Sequence, residues 1–402
     1  MRRVVSNTSR LVLAFFTLLA FIALPASAEQ ENSAGSSNYL YVGSYIGQYP
    51  TFIDYISGYT VAADGSLQPL SGFPVSGPSF GLLSVGNFVF GNDGHDIETY
   101  ARGSNGTLTP ASRIDEYTYA PQSAGMGIYA LNPDRSGRTL TTVLSCGSCN
   151  SYVLPFSIGS NGQLSYIGGS QPPTLGAAKW NGVFTFSPDN RWAYTAYWQS
   201  LPTEYRRQPN GLLTYVRDGA ASPPNDQVCL PGDMAVSASA GYIPMIWSAG
   251  LYCGQDGAYA MATYTVASDG SLALVDNSAF TPQLQEVNLS FDPTGTYLAM
   301  AGYVGNNGPQ QAALQIYKLQ SNGSLSPVGN MLVNSAASQF ESVSWDSANH
   351  LYVVSYDCQA GCQSSFTNSV YIYNFDGQTL TPAPGSPHRM INVVGLATVP
   401  AS

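Results

Sequence analysis

Residues 287–303, VNLSFDPTGTYLAMAGY, and residues 313–329, ALQIYKLQSNGSLSPVG, define the repeating unit of this chain. Their apolar runs are rich in aromatic and aliphatic residues and are separated by Asp-Pro-Thr-Gly, by a polar loop and by Ser-Asn-Gly-Ser. Such runs between turn residues are typical of β-strands, and Asn-Gly is a strong β-hairpin turn. The stretch therefore predicts an antiparallel unit of four strands, which we call A to D in chain order.

The turn between strands C and D recurs along the chain. It appears seven times, roughly 40 to 57 residues apart, as Asp64-Gly65, Asn105-Gly106, Asn161-Gly162, Asp218-Gly219, Asp269-Gly270, Asn322-Gly323 and Asp376-Gly377. A four-strand unit with a period near 50 residues indicates a β-propeller. We therefore predict an all-β, seven-bladed β-propeller of four-stranded antiparallel blades.

The two ends of the propeller sequence are each incomplete. Residues 39–44 are a B strand with no A strand before them, and residues 391–399 are an apolar strand with no B, C or D strand after them. If the C-terminal strand pairs with the N-terminal blade as its A strand, the ring closes and no sheet edge stays exposed. The same assignment makes residues 198–211 a long B–C loop and puts His350 in a solvent-exposed A–B turn.

The N-terminus predicts a targeting segment. Arg2, Arg3 and Arg10 precede or flank an apolar run at residues 11–24, and Ala26-Ser27-Ala28 is a small-residue cleavage site. This is the pattern of a secretory signal peptide, and the run is short for a membrane anchor, which is the rival interpretation. We predict a signal peptide at 1–28, a flexible lead at 29–37, a propeller at 38–402, and a periplasmic or secreted protein with no membrane span after cleavage.

The charge of the cleaved chain restricts its partners. Without the three N-terminal arginines, 11 basic residues remain against 24 acidic ones, a formal net charge of −13. Nucleic acid and anionic lipid are disfavoured as partners of such a chain. We expect a monomer that needs no cofactor or metal and that takes a small molecule or a glycan.

The six cysteines predict disulfides if the chain is exported. Two close pairs, Cys146 with Cys149 and Cys358 with Cys362, leave Cys229 and Cys253 for each other. A zinc site or a thioredoxin-like redox motif are the alternatives. No helix is predicted after Cys149, and the two close pairs lie about four blades apart, so local disulfides are favoured.

Several repeats also resemble a known family. The residues that carry the resemblance are Ser187-Pro188-Asp189-Asn190-Arg191, Tyr264-Thr265-Val266 with Asp269-Gly270-Ser271-Leu272, and residues 382–387. They resemble the seven-bladed β-propeller lactonase family, which includes bacterial 6-phosphogluconolactonase and carboxymuconate cyclase-like proteins. The resemblance implies lactone chemistry that uses His, Glu and Arg side chains of the central funnel, and it is more specific for architecture than for activity.

The candidate site follows from the predicted architecture. In a propeller the start of each A strand lies at the mouth of the central channel, on the face of the D–A and B–C loops. The predicted catalytic residues at these positions are Glu286, Glu341, His388 and Arg389. The predicted substrate-binding residues are Lys179, Asn181, Asp233 and Gln285, and Gly125 occupies an equivalent position.

Lactone hydrolysis needs a base that activates water and donors that hold the developing oxyanion. His388 or a glutamate supplies the base in this hypothesis, and Arg389 and Lys179 are the donors. The alternative is that these charged residues form ion pairs at the rim, in a secreted propeller without chemistry that binds a glycan or a protein through its loop face. His95 lies in a B–C loop of the weakest blade, and the sequence does not favour it.

Overall fold

The computed structural model describes the propeller and leaves out several loops and both ends of the chain. The described residues are 38–47, 53–120, 127–145, 152–168, 183–197, 200–237, 239–249, 259–305, 310–357 and 367–399. The predicted signal peptide and flexible lead lie outside them, so these boundaries remain predictions. No helix in the described ranges is long and apolar enough to span a bilayer.

The described chain forms seven antiparallel sheets, each with four main strands in the order A-B-C-D from the axis outward. Blade 1 contains β30 (Val393–Val399), β1 (Asn38–Ile46), β2 (Ile53–Val61), β3 (Leu67–Pro69) and the short β4 (Val75–Ser76). Blade 2 contains β5 (Phe80–Val85), β6 (Phe88–Asn92), β7 (Asp96–Arg102) and β8 (Leu108–Asp115). Blade 3 contains β9 (Gly127–Pro133), β10 (Thr139–Ser145), β11 (Tyr152–Ile158) and β12 (Leu164–Tyr166). A short 3-10 helix, Glu116–Thr118, follows β8.

The remaining blades repeat the arrangement. Blades 4 to 7 contain β13 (Val183–Phe186), β14 (Trp192–Tyr197), β15 (Ser200–Arg207) and β16 (Leu213–Asp218); β17 (Leu230–Met234), β18 (Tyr242–Ser248), β19 (Tyr259–Val266) and β20 (Leu272–Leu274); β21 (Gln285–Phe291), β22 (Tyr297–Val304), β23 (Gln311–Leu319) and β24 (Leu325–Asn334); and β25 (Gln339–Trp345), β26 (His350–Asp357), β27 (Thr367–Phe375), β28 (Leu380–Pro382) and β29 (His388–Ile391). The predicted fold class is confirmed.

The C-terminal strand closes the ring as predicted. β30 pairs antiparallel with β1, with Tyr39 opposite Val399 and Gly43 opposite Gly395. Blade 1 therefore takes its innermost strand from one end of the propeller sequence and its other strands from the opposite end. The exposed edge that β1 would otherwise present is covered.

The hydrophobic core is divided among the junctions between blades. Seven buried clusters occur, and each joins residues of two neighbouring blades. At the junction of blades 6 and 7, for example, Leu314 and Ala301 pack with Phe340 and Val353. Face-to-face packing of adjacent sheets explains why both faces of the B strands are apolar.

The C–D turns explain the repeated Asx-Gly pair. In all seven blades the Asn or Asp side chain accepts a hydrogen bond from the backbone N–H two residues later. The following glycine has positive φ and packs against the first B-strand residue of the preceding blade, as Gly323 (φ +83°) does against Tyr242. The glycine therefore serves both the turn and the contact between blades.

The fourth of these turns lies elsewhere than predicted. It is Asn210-Gly211, where Gly211 has φ +92° and the Leu212 N–H donates to Asn210 Oδ1 at 3.1 Å. Asp218 instead ends the outer strand β16. Most of the predicted loop at 198–211 is strand β15, because Thr203 and Glu204 pair with both β14 and β16.

His350 is buried, so the prediction that it faces solvent is wrong. It is 2% exposed, and its Nδ1 lies 2.7 Å from Asp346 Oδ2. The same oxygen accepts hydrogen bonds from Tyr352 Oη at 2.8 Å and from Asn38 Nδ2 at 3.3 Å. His350 Nε2 faces the carbonyl oxygen of Ala63 at 3.3 Å. This polar cluster joins blade 7 to blade 1 across the junction where the ring closes.

Candidate functional site

The inner strands share a local irregularity at the mouth of the channel. Over the described residues, six of the seven carry a β-bulge near their first residues. The residues that the strand register skips are 81–82, Tyr129, Gly232, 286–287, Glu341 and Val394. A bulge changes the direction of side chains without disturbing the rest of the ladder, and bulges are frequent beside active sites.

Three predicted site residues lie at this ring of bulges. Gln285 begins β21 and pairs with Tyr303, and Glu286 occupies the bulge that follows it. Glu341 occupies the bulge of β25, and it is exposed. Because β21 and β25 are the inner strands of adjacent blades, the structure brings these residues to neighbouring positions of the mouth.

Asp233 lies between two inner strands and is the most unusual carboxyl group of the mouth. Its backbone belongs to β17, while its Oδ2 accepts a hydrogen bond from the Leu289 N–H of β21 at 2.7 Å. Its Oδ1 accepts from the Met234 N–H, also at 2.7 Å. Burial raises the pKa of Asp233 to about 7, although both of these hydrogen bonds lower it. The residue as a whole nevertheless keeps partial exposure to solvent.

The position of His388 and Arg389 differs from the prediction. They belong to β29, which pairs with strand C of blade 7, with His388 opposite Val370 and Arg389 opposite Ser369. They therefore lie on the outer part of the blade, and the inner strand begins only at Val393. Burial lowers the pKa of His388, and its buried Nε2 has no hydrogen-bond partner among the described residues.

The other predicted positions lie outside the described residues. Gly125, Lys179 and Asn181 are among them, so their place at the mouth stays a prediction. Five of the six cysteines, Cys146, Cys149, Cys253, Cys358 and Cys362, are also outside the described ranges. Cys229 is not a free thiol, but the predicted pairing remains untested.

A histidine that the sequence did not favour does lie beside an inner strand. His95 Nδ1 is 2.5 Å from Tyr117 Oη, and both side chains are on the loop face between blades 2 and 3. The His95 loop reaches the start of β9, because the Ile128 N–H donates to the Gly94 carbonyl oxygen at 2.9 Å. The sequence feature that could have indicated His95 is Asp-Gly-His-Asp at residues 93–96, which forms a turn between strands B and C.

The His95 loop is rigidly supported. Arg113 bridges Asp93 and Asp96 at 2.8 and 2.7 Å, and Asp93 Oδ1 also accepts from the N–H groups of His95 and Asp96. These acidic side chains are occupied by a guanidinium and by backbone donors. Within the described residues, no three His, Cys, Asp or Glu side chains converge on a point that could hold a metal ion.

Comparisons with known proteins agree with the fold. No protein-family model and no curated protein sequence matches this chain. Among solved structures, a Bacteroides fragilis protein assigned as a 6-phosphogluconolactonase is similar over 92% of this chain and 100% of its own, with 17% identity and a TM-score of 0.61. A Bacteroides uniformis protein with the same assignment gives 15% identity and a TM-score of 0.62 over 91% of this chain and 100% of its own.

The periplasmic gluconolactonase of Pseudomonas aeruginosa is also similar. It has 15% identity and a TM-score of 0.58, over 89% of this chain and 100% of its own. Identities this low show a likeness of fold alone. The resemblance to lactonase propellers that the sequence indicated is thus confirmed for the architecture.

Proposed function

We propose that this chain is an exported lactonase-like propeller that opens the ester bond of a lactone, or of a related sugar-acid-like small molecule, at the mouth of its channel. The observation that carries the proposal is Asp233, a carboxyl group placed between β17 and β21 and held by two backbone N–H groups. A base with a pKa near the working pH is the most effective general base, and Asp233 fits that condition. The lactonase neighbours of the fold support the choice of reaction.

The proposed chemistry is water-assisted ester cleavage. Asp233 takes a proton from a water molecule while the water oxygen bonds to the lactone carbonyl carbon, which gives a tetrahedral oxyanion. The bond from that carbon to the ring oxygen then breaks, and Asp233 returns the proton to the leaving oxygen. The product is the open hydroxy acid, and no cofactor is consumed.

The neighbouring residues have roles that follow from their place. The Gln285 amide at the start of β21 is our candidate donor to the oxyanion. Glu341 on the bulge of β25 and Glu286 on that of β21 are candidates to accept hydrogen bonds from substrate hydroxyl groups or to act as a second base. Lys179 and Asn181 remain proposed binding residues.

The main test is a lactone-opening assay on the mature protein, with spontaneous hydrolysis subtracted. We expect Asp233→Asn to lower kcat about 100-fold or more, which is typical of the loss of a general base. Asp276→Asn is the matched control, because Asp276 is exposed and makes no contact that the mechanism uses. Equal rates for the wild type and Asp233→Asn would refute the proposal.

The pH profile gives a second readout of the same base. Only the ionised carboxylate accepts a proton, so kcat/KM is expected to rise between about pH 6 and 8 and then level off, following the pKa of Asp233. A profile that is flat over this range after correction would exclude Asp233 as the base.

His388 and Arg389 are the rival catalytic residues. Because β29 lies on the outer part of blade 7, we expect His388→Ala and Arg389→Gln to keep most of the activity, whereas Glu341→Gln and Glu286→Gln lower it. A large loss in His388→Ala together with full activity in Asp233→Asn would reverse the assignment.

A second candidate function is binding without chemistry through the loop face. Ile46, Ile53 and Ile391 are 43%, 62% and 58% exposed. They lie on that face, and Ile391 is brought to blade 1 because the Asn392 side chain donates to the Tyr45 carbonyl oxygen at 3.1 Å. A glycan array probed with the wild type and with Ile53→Ser/Ile391→Ser distinguishes the functions, because lactone opening should be equal in both.

Export has its own test. The protein recovered from the periplasm or the medium should begin at Glu29, as N-terminal sequencing would show, with the predicted signal peptide removed. Recovery of the full-length chain in the cytoplasm would contradict this part of the proposal.

A further inference from the structure

The face opposite the candidate mouth carries an arginine that has no carboxylate partner among the described residues. Arg135 is in the A–B turn of blade 3, and its backbone N–H donates to Asn190 Oδ1 in the A–B turn of blade 4 at 3.2 Å. Its Nη2 lies 3.5 Å from the carbonyl oxygen of Val236 in blade 5. The side chain therefore extends past a whole blade along the opposite opening of the channel.

The acid nearest in sequence is fully used by other groups. Asp134 Oδ2 accepts hydrogen bonds from Arg207 Nη2 at 2.5 Å, from Asn190 Nδ2 at 3.0 Å and from Ser136 Oγ at 2.7 Å. Its Oδ1 accepts from the backbone N–H groups of Arg138 and Thr139. The charge of Asp134 is thus balanced by Arg207, a pair that is almost wholly buried.

Four arginines of the described chain are held by carboxylates, whereas Arg135 is not. Arg113, Arg191, Arg207 and Arg217 each form an ion pair with a carboxylate. Arg135 has one long contact with a carbonyl oxygen, and no charged side chain acts on its pKa, which burial alone lowers. A guanidinium has five N–H donors in a planar fork that matches the oxygens of carboxylates and phosphates.

We propose that Arg135 binds a small oxyanion, a carboxylate or a phosphate, at the A–B opening of the channel. The side chain is open to water although protein surrounds much of it, so an anion can reach the fork. One source of such an anion is the hydroxy acid that the proposed lactone opening would release, and this source alone rests on the proposed function. The other source is free inorganic phosphate.

The test measures binding of each anion separately at constant ionic strength. Sodium gluconate, sodium phosphate and the uncharged polyol sorbitol are titrated into the wild type, Arg135→Gln and Arg138→Gln, and both the melting temperature and the calorimetric Kd are recorded. Arg138 is the matched control because it is an exposed arginine of the same turn. We expect gluconate or phosphate to raise the melting temperature of the wild type and of Arg138→Gln, and to bind Arg135→Gln about tenfold more weakly or worse.

Each outcome decides something. Binding of gluconate but not phosphate assigns the site to a carboxylate, and the reverse assigns it to phosphate. Equal affinity in Arg135→Gln and the wild type, equal losses in both variants, or no binding of either anion would overturn the inference. Because binding is measured without turnover, a chain that opens no lactone but binds an anion through Arg135 would refute the proposed function and keep this site.

Discussion

Replacing His350 by Gln should weaken the junction between blades 7 and 1. His350 and Asp346 are 2% and 3% exposed, and each ring nitrogen of His350 faces an oxygen, Asp346 Oδ2 at 2.7 Å and the Ala63 carbonyl at 3.3 Å. The imidazolium, with two N–H donors, fits this arrangement. Burial opposes the charged ring, but the hydrogen bond and charge of Asp346 outweigh it and raise the pKa of His350 above its ordinary value.

The expected loss of folding stability follows from the burial of the His350–Asp346 pair. Removing one partner of a buried ion pair costs about 3–5 kcal/mol, because the other charge is left uncompensated. Asp346 keeps its bonds from Tyr352 Oη and from the backbone N–H groups of Ala348 and His350. We therefore expect a loss at the lower end, about 3 kcal/mol, which corresponds to about 4 °C in melting temperature for a chain of this size.

The pH dependence distinguishes the charged pair from simple packing. The pKa of His350 is raised in the folded protein. The contribution of the charged pair to folding stability is therefore fully present below the unfolded-state pKa of about 6.5, and it is lost as the pH rises through the folded-state pKa. The stability difference between the wild type and His350→Gln should thus be large at pH 5.5 and smaller at pH 9. Denaturant titration followed by tryptophan fluorescence measures both.

Two controls complete the experiment. His95→Gln changes an exposed histidine, and its effect on stability should stay within about 0.5 kcal/mol. Asp346→Asn in the His350→Gln background should recover part of the loss, because the uncompensated charge disappears. A loss for His350→Gln below about 0.5 kcal/mol, or a loss that is the same at pH 5.5 and pH 9, would refute the argument.

Two further predictions concern the C–D turns and a buried acid. Gly323→Ala should destabilise the chain more than Gly72→Ala, although the two glycines have nearly the same φ, +83° and +84°. A Cβ at Gly323 would lie 2.7 Å from the Tyr242 ring, whereas a Cβ at Gly72 would enter open space. Equal losses of stability in thermal unfolding would refute the contact between blades. Glu116→Gln should stabilise the chain at pH 8 and change little at pH 4, because Glu116 is fully buried and this burial raises its pKa to about 8. The unfolded state ionises this group above about pH 4.3 while the folded state does not, so the wild type loses stability between these values; a Gln variant that is less stable at pH 8 would refute this.

The sequence predicts the parts of the fold that depend on local chemistry. Six of the seven Asx-Gly turns were predicted correctly because the turn needs an Asx acceptor and a glycine at positive φ within two residues. The fourth was missed although Asn210-Gly211-Leu212-Leu213 fits the same pattern, because Asp218-Gly219 also met the expected spacing. Local motifs alone do not say which of two turns the sheet uses.

The candidate site was less predictable because it depends on pairing partners. The sequence does not show that residues 388–391 pair with β27 before the chain turns at Asn392, which has φ 49°, into the inner strand β30. The sequence does not show the bulges either, since the bulge at Glu341 is defined by how β25 pairs with β26. The raised pKa of Asp233 results from burial between two inner strands that are far apart in sequence.

The place of β30 also determines when the molecule can assemble. Val393–Val399 is the innermost strand of the blade that contains Asn38–Ile46, so blade 1 is completed by a strand that is translated after the other six blades. Blades 2 to 7 hold their own four strands and can form earlier during synthesis, whereas blade 1 lacks its inner strand until then. The ring can therefore close only after all seven blades have been translated, and a chain truncated before Val393 would remain an open arc.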